Sequence, residues 1–193
     1  MEFDTAKLST GETYLRMVQL ITPRPIAWVS TLSVDGVANL APFSFFNGVG
    51  ANPPTICFAP ANNGLGEPKD TLENVRRTGQ FVVNIVTESV LNVMNRSAEE
   101  LTPDVDEFEF VGIDQSPCVK VKPPRVRHSV AAMECTLHSA IQLGTGPGGA
   151  NLVIGNVVYF HVDDDMVDQK IISTIGRAGR RDYTKVKDTF RVE

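Results

Sequence analysis

Residues 21–47 read ITPRPIAWVSTLSVDGVANLAPFSFFN. Two runs rich in β-branched and aromatic residues, 26–33 (IAWVSTLS) and 37–46, flank Asp35-Gly36, a strong two-residue hairpin signal. The stretch therefore predicts an antiparallel pair of strands. Ser30, Thr31 and Ser33 lie on the first strand; Asn39, Ala41, Pro42, Ser44 and Asn47 lie on or just after the second. Small polar side chains and free backbone groups on facing strands suit a flat heteroaromatic ligand that needs hydrogen bonds at its edge. The same residues also read as exposed strand positions on a proline-containing edge. The pattern leaves both readings open.

Working outward, Ser9 and Glu12 form a capping box ahead of Tyr14, Leu15, Val18 and Leu20, which predicts a short amphipathic helix. After the hairpin, Pro53-Pro54 punctuates the chain, TICFAP reads as a strand and ANNGLGEPKD as a loop. Asp70 and Glu73 read as a second capping box, with Asp70 as the N-cap of a helix running to about Thr78-Gly79. FVVNIV is a buried strand and 88–96 a short helix. Residues 98–124 are acidic and broken by prolines, as expected of an excursion over the surface or against a subunit partner. Residues 130–143 and 151–162 are two long strands joined by GTGPGG, and the last twenty residues carry a basic cluster followed by TKVKDTF. Strands in hairpin pairs with short helices between them predict a mainly β antiparallel barrel, not a βαβαβ alternation. One domain over 1–193 is expected, with 170–193 as a C-terminal extension.

Composition narrows the function. Of 193 residues, 42% are hydrophobic and 21% charged, which excludes a disordered chain. A net charge of -5 argues against nucleic acid or an anionic membrane surface as the main partner. Cys57, Cys118 and Cys135 have no C-x-x-C spacing, so they suggest neither a disulfide framework nor a zinc site, and they suit a reducing cytoplasm. There is no signal-peptide pattern and no run near the ~18 apolar residues of a spanning helix. Gly144, Gly146 and Gly149 satisfy G-x-G-x-x-G, but NLVIGNVVYFHV follows, where the dinucleotide motif needs a helix. They read as a hairpin turn. His161, Asp163 and Asp165 read as the end of a strand and a solvated acidic loop, not as a metal site.

Lys69-Asp70-Thr71 stands at a predicted helix start, where unpaired amides and the helix dipole suit a phosphate. The residues alone favour a plain Asp70 cap. At this point the chain resembles a family. RPIAWVST, NLAPFSFFN, KDTLENV with TGQFVVNIV, VDEFEFVGI and the terminal RAGRRDY are similar, in this order, to flavin reductase-like proteins. The similarity is strongest to the branch that includes nitrilotriacetate monooxygenase component B and flavoredoxin-type proteins. The resemblance implies an FMN-binding split β-barrel of Greek-key type, working as a homodimer with FMN near the subunit interface. It implies Ser30, Thr31, Lys69 and Thr71 at the ribityl phosphate. Asn39, Ala41, Ser44, Phe45 and Asn47 would line the isoalloxazine, and Arg24 would serve the phosphate or the interface. Arg180 and Tyr183 belong to the terminal motif, where an arginine replaces a small residue and either binds a phosphate of FMN or NADPH or faces solvent. The stretch Gly149-Ala150-Asn151-Leu152 lacks the histidine that many relatives present to the nicotinamide.

The implied activity is hydride transfer from NADH or NADPH to flavin N5, with no catalytic side chain of its own and no metal. Reduced FMN would pass to a monooxygenase component or another acceptor. The alternatives are an electron-transfer flavoprotein of flavoredoxin or ferric-reductase type that holds FMN tightly, and a flavoenzyme with its own organic substrate.

Overall fold

The structure is a computed structural model that describes residues 2–169, 172–186 and 188–192, so 170, 171, 187 and 193 of the expected C-terminal extension lie outside the described residues. A 3-10 turn (Thr5–Lys7) leads into helix α1 (Thr10–Leu20). Five strands follow: β1 (Arg24–Pro25), β2 (Ala27–Leu32), β3 (Ala38–Phe43), β4 (Phe46–Ala51) and β5 (Pro54–Phe58). Then come α2 (Asp70–Thr78), β6 (Gln80–Ile85), a 3-10 turn (Glu88–Val90), α3 (Leu91–Arg96) and α4 (Glu107–Val111). The short strands β7 (Gln115–Ser116) and β8 (Arg125–Val126) precede the long pair β9 (Ala131–Gln142) and β10 (Asn151–Val162). The one-turn helix α5 (Asp164–Val167) and the hairpin β11 (Thr174–Ala178) and β12 (Asp182–Val186) complete the order.

Local chemistry explains most of these boundaries. At α1 the capping box is complete: the Glu12 amide donates to Ser9 Oγ at 3.3 Å, and the Ser9 amide donates to Glu12 Oε2 at 2.9 Å. At α2 the expected cap is displaced by one residue. Lys69, not Asp70, is the N-cap, because its carbonyl already accepts from the amides of Leu72 (2.9 Å) and Glu73 (3.2 Å). Lys69 makes no side-chain cap bond, and Asp70 stands one residue inside the helix. The β2–β3 connection is also longer than two residues. Gly36, at φ +88°, donates to the Ser33 carbonyl and the Ser33 amide donates to the Val37 carbonyl, which closes a turn ending in a left-handed glycine.

Seven strands form one antiparallel sheet in the order β3-β2-β6-β9-β10-β5-β4. Its two edge strands, β3 and β4, are consecutive in the chain and joined only by Ser44 and Phe45. Three peptide steps of 3.8 Å reach about 11 Å, so the sheet must curl until its edges meet there. The result is an antiparallel barrel split between β3 and β4. Phe43, Phe58, Phe81, Val29, Val83 and Val153 pack on one face of the sheet. Alternation along β2 sends Trp28 to the other face, where it packs with Leu40, Met94, Phe108, Val126 and Ile175. β2 is consequently buried on both sides.

That second layer takes in part of residues 98–124, the segment expected to run over the surface or against a subunit partner. Phe108 and Val121 are buried, and Glu107 reaches β3. The acidic residues around them masked a short helix capped by Asp106, whose carboxylate accepts from the Phe108 amide at 2.8 Å. GTGPGG is a turn between β9 and β10, as its sequence predicts. Among the described residues, no helix is long and apolar enough to cross a membrane.

Candidate functional site

At the split lies a cavity of about 580 Å³, within the range that holds cofactors. One wall is the end of β3 and its link to β4 (Ala41, Pro42, Ser44, Phe45); opposite it stand the start of α2 and residues 97–103. Tyr14 of α1 closes one end, set edge-on to Phe45 with ring centroids 6.3 Å apart. Tyr14, Phe45, Ala41 and Pro42 give this part of the lining its apolar surface.

The other end is polar. α2 begins there with Lys69, Asp70 and Thr71; the amides of Asp70 and Thr71 have no backbone acceptor, whereas that of Leu72 donates to the Lys69 carbonyl. Lys69 Nζ lies 3.6 Å from the Glu100 carboxylate. Burial raises the Asp70 carboxyl above its usual range, although Lys69 opposes the shift. Glu107 is raised the same way, by burial first, with hydrogen bonds opposing and Asp70 adding to the rise. A second cavity of about 440 Å³ lies behind this end and shares Asn39, Asp70, Pro103 and Glu107 with the first.

Six of the expected residues line the first cavity: Asn39, Ala41, Ser44, Phe45, Lys69 and Thr71. Two hairpins and a helix start, far apart in sequence, bring them together. The structure places the other six elsewhere. Ser30 is fully buried; its hydroxyl donates to the Pro124 carbonyl at 2.5 Å and accepts from Asn84 Nδ2 at 3.2 Å. Thr31 is buried too, donating to Asn39 Oδ1 at 3.2 Å. Asn47 is exposed on β4 and caps the Gly48 amide at 2.9 Å. Arg180 is exposed, and its carbonyl accepts from Arg177 Nη2 at 2.7 Å. The Tyr183 hydroxyl bonds Arg177 and donates to Asn95 Oδ1 at 2.8 Å.

Arg24 is only 1% exposed and its whole guanidinium is engaged. Nη1 donates to the carbonyls of Val18 (3.1 Å) and Ile21 (2.9 Å), Nη2 to that of Gly179 (2.8 Å), and Nε to Ser44 Oγ (3.3 Å). Burial lowers its pKa. Arg24 thus ties α1, the C-terminal hairpin and the β3–β4 link together, and it touches the cavity only through Ser44.

Tyr14 and Glu107 are cavity residues that the sequence reading passes over. Tyr14 was legible only as an apolar position of α1. Glu107 lies in VDEFEFVGI, one of the segments that carry the family resemblance, which by itself assigns it no role. A further cluster, Cys118, Glu134 and His161, brings three potential metal ligands within 4.8 Å of one another. The Glu134 carboxylate is already occupied, accepting from the amides of Val119, Lys120 and Val121 and from His161 Nε2 at 2.6 Å. Burial pushes Glu134 up, but these bonds outweigh it and hold the carboxyl below its usual value. Burial, with Glu134 nearby, pushes the Cys118 thiol up to about 12. Protonated sulfur beside a saturated carboxylate is a poor donor set.

The sequence model of the flavin reductase like domain matches residues 19–177. The chain belongs to the flavin reductase-like family. An uncharacterised protein of Aquifex aeolicus is 36% identical over 96% of this chain and 95% of its own. Nitrilotriacetate monooxygenase component B from Bacillus cereus superposes with a TM-score of 0.94 at 32% identity, covering 100% of this chain and 98% of its own. The 2-nitrobenzoate 2-nitroreductase NbaA of Pseudomonas fluorescens does so at 0.89 and 28% identity, over 100% and 95%. Flavoredoxin of Desulfovibrio vulgaris (TM-score 0.77, 18% identity, 100% and 97% covered) shares the fold. So does an FMN-binding protein of Thermus thermophilus (0.78, 16%, 100% and 100%).

Proposed function

We propose that the chain, as one domain over 1–193, binds FMN in the cavity at the split and is an NAD(P)H-dependent flavin reductase. The carrying observation is that one cavity of about 580 Å³ is lined both by apolar side chains (Ala41, Pro42, Phe45) and by a helix start with a lysine. Ala41, Pro42 and Phe45 offer surface for the ring system, while Ser44 and the adjoining backbone offer hydrogen bonds to its edge. The first-turn amides of α2 and the Lys69 ammonium suit the phosphate. When bound, FMN supplies the hydride-accepting chemistry. The protein's part is to fix orientation and exclude water: Tyr14 covers one end of the cavity and residues 97–103 cover a side.

The component B designation of the Bacillus cereus structure supports delivery of reduced FMN to a partner monooxygenase, and a homodimer in the cytoplasm belongs to the same reading. The test is NADH and NADPH oxidation with and without added FMN. FMN-dependent oxidation of either nucleotide is expected; an FMN-loaded protein inert to both refutes the reductase and leaves the electron-transfer alternative.

A further inference from the structure

The Glu107 carboxylate comes from α4, yet it meets β3 at the polar end of the cavity. A carboxylate only accepts hydrogen bonds. Oε1 accepts from Asn39 Nδ2 at 2.7 Å, and Oε2 accepts from the Leu40 amide at 3.1 Å. The Asn39 side-chain amide is therefore fixed, with its nitrogen toward Glu107 and Oδ1 away from it. Oδ1 in turn meets Thr71 Oγ at 2.8 Å and Thr31 Oγ at 3.2 Å. A carbonyl oxygen also only accepts, so both hydroxyls must donate to it. Thr31 is held twice, because its oxygen accepts from Asn74 Nδ2 at 3.1 Å. The relay runs one way, from Thr71 through Asn39 to Glu107, and its direction is set by the carboxylate at its end.

A threonine hydroxyl has one proton, and that of Thr71 goes to Asn39. We propose that Glu107 is a positioning residue that sets the hydrogen-bond polarity of this end of the cavity, so that the Thr71 hydroxyl meets a ligand only as an acceptor. It suits a hydroxyl of a sugar-alcohol chain and leaves a phosphate to Lys69 and the first-turn amides of α2. The ligand assignment rests on the flavin reading above; the relay itself does not.

Glu107→Gln tests the polarity with almost no change of shape. The new side-chain carbonyl still accepts from the Leu40 amide, which sets its NH₂ group against Asn39 Nδ2. Asn39 must then turn over, and the relay reverses. Nδ2 now donates to Thr71 Oγ and frees the hydroxyl proton for the cavity. The measured quantity is the ratio of the riboflavin and FMN dissociation constants, from quenching of flavin fluorescence. In Glu107→Gln this ratio rises about tenfold in favour of FMN, the size of one hydrogen bond to a charged group. Adding Thr71→Val removes the rise, whereas Thr71→Val alone changes the ratio by less than about twofold.

A merely structural Glu107 would weaken both flavins alike. An unchanged ratio in Glu107→Gln, or a ratio that collapses in Thr71→Val alone, overturns the proposal. NMR of the apoprotein separates this from the flavin reading. The Leu40 amide and the Asn39 side-chain amide protons are shifted downfield by the carboxylate and lose that shift in Glu107→Gln. That pattern without flavin binding by any variant keeps the relay and rejects the flavin site. Absence of the pattern rejects the relay whatever the flavins do.

Discussion

Replacing Arg24 by lysine keeps the charge and removes the fork. Arg24 sends four hydrogen bonds in three directions, to Val18 and Ile21 at the end of α1, to Gly179 in the C-terminal hairpin, and to Ser44. An ammonium has three donors on a single atom and cannot span these acceptors. At least one carbonyl is left buried without a partner, and the charge stays buried with fewer bonds around it. Each orphaned group costs about 1–3 kcal/mol, which places Arg24→Lys about 3 kcal/mol below the parent. For a chain of this length that is a fall in Tm of roughly 6–12 °C. Circular dichroism melting, with FMN titration of the folded protein at low temperature, reads both consequences. Flavin affinity should fall only modestly, since Arg24 reaches the cavity through Ser44 alone. A Tm within about 2 °C of the parent, combined with a selective loss of FMN over riboflavin, would show that Arg24 is a phosphate ligand and that the fork is misassigned.

Gly155→Ala would put a Cβ 2.4 Å from Cζ of the buried Phe81, and this overpacking should cost about 1–3 kcal/mol. Gly11→Ala, where nothing lies within 4 Å, should instead stabilise α1 by about 0.5 kcal/mol; urea unfolding separates the two signs. Glu134 is held below the usual glutamate value of 4.5, so its contribution is fully present above that pH and is lost as pH falls through the lower folded value. Glu134→Gln should therefore destabilise the fold near neutrality and flatten the acid limb of stability against pH, and an unchanged acid limb would contradict the assignment. Cys118, pushed up to about 12, should resist iodoacetamide at pH 8 in the folded protein and react once it is unfolded; peptide mapping after a timed exposure checks this.

What was legible in the sequence was carried by short-range chemistry. The Ser9–Glu12 box, the Asp35-Gly36 turn, the β9–β10 pair and the rejection of the glycine-rich stretch as a dinucleotide loop all rest on residues within a few positions of one another. The cavity was half legible, because NLAPFSF and KDT each carry their own signals. Long-range partners were not. Arg24, expected at the phosphate or the interface, donates to Gly179, 155 residues away, which no local signal announces. Ser30 looks like a ligand-facing hydroxyl until Pro124 covers it. Glu107 looks like one acid among many until Asn39, 68 residues distant, is found against it. The anchors of the 98–124 segment are hidden for the same reason: acidic residues surround them in sequence, while Glu107, Phe108 and Val111 of α4 are buried.

Equilibrium titration of the purified protein with FMN, followed by difference absorbance in the visible flavin bands, bears most directly on the cavity as a flavin site. A saturable perturbation at one FMN per chain is the expected result, weakened when Lys69→Ala removes the cation at the start of α2. A spectrum of free FMN at every ratio, in a protein shown to be folded, would contradict it.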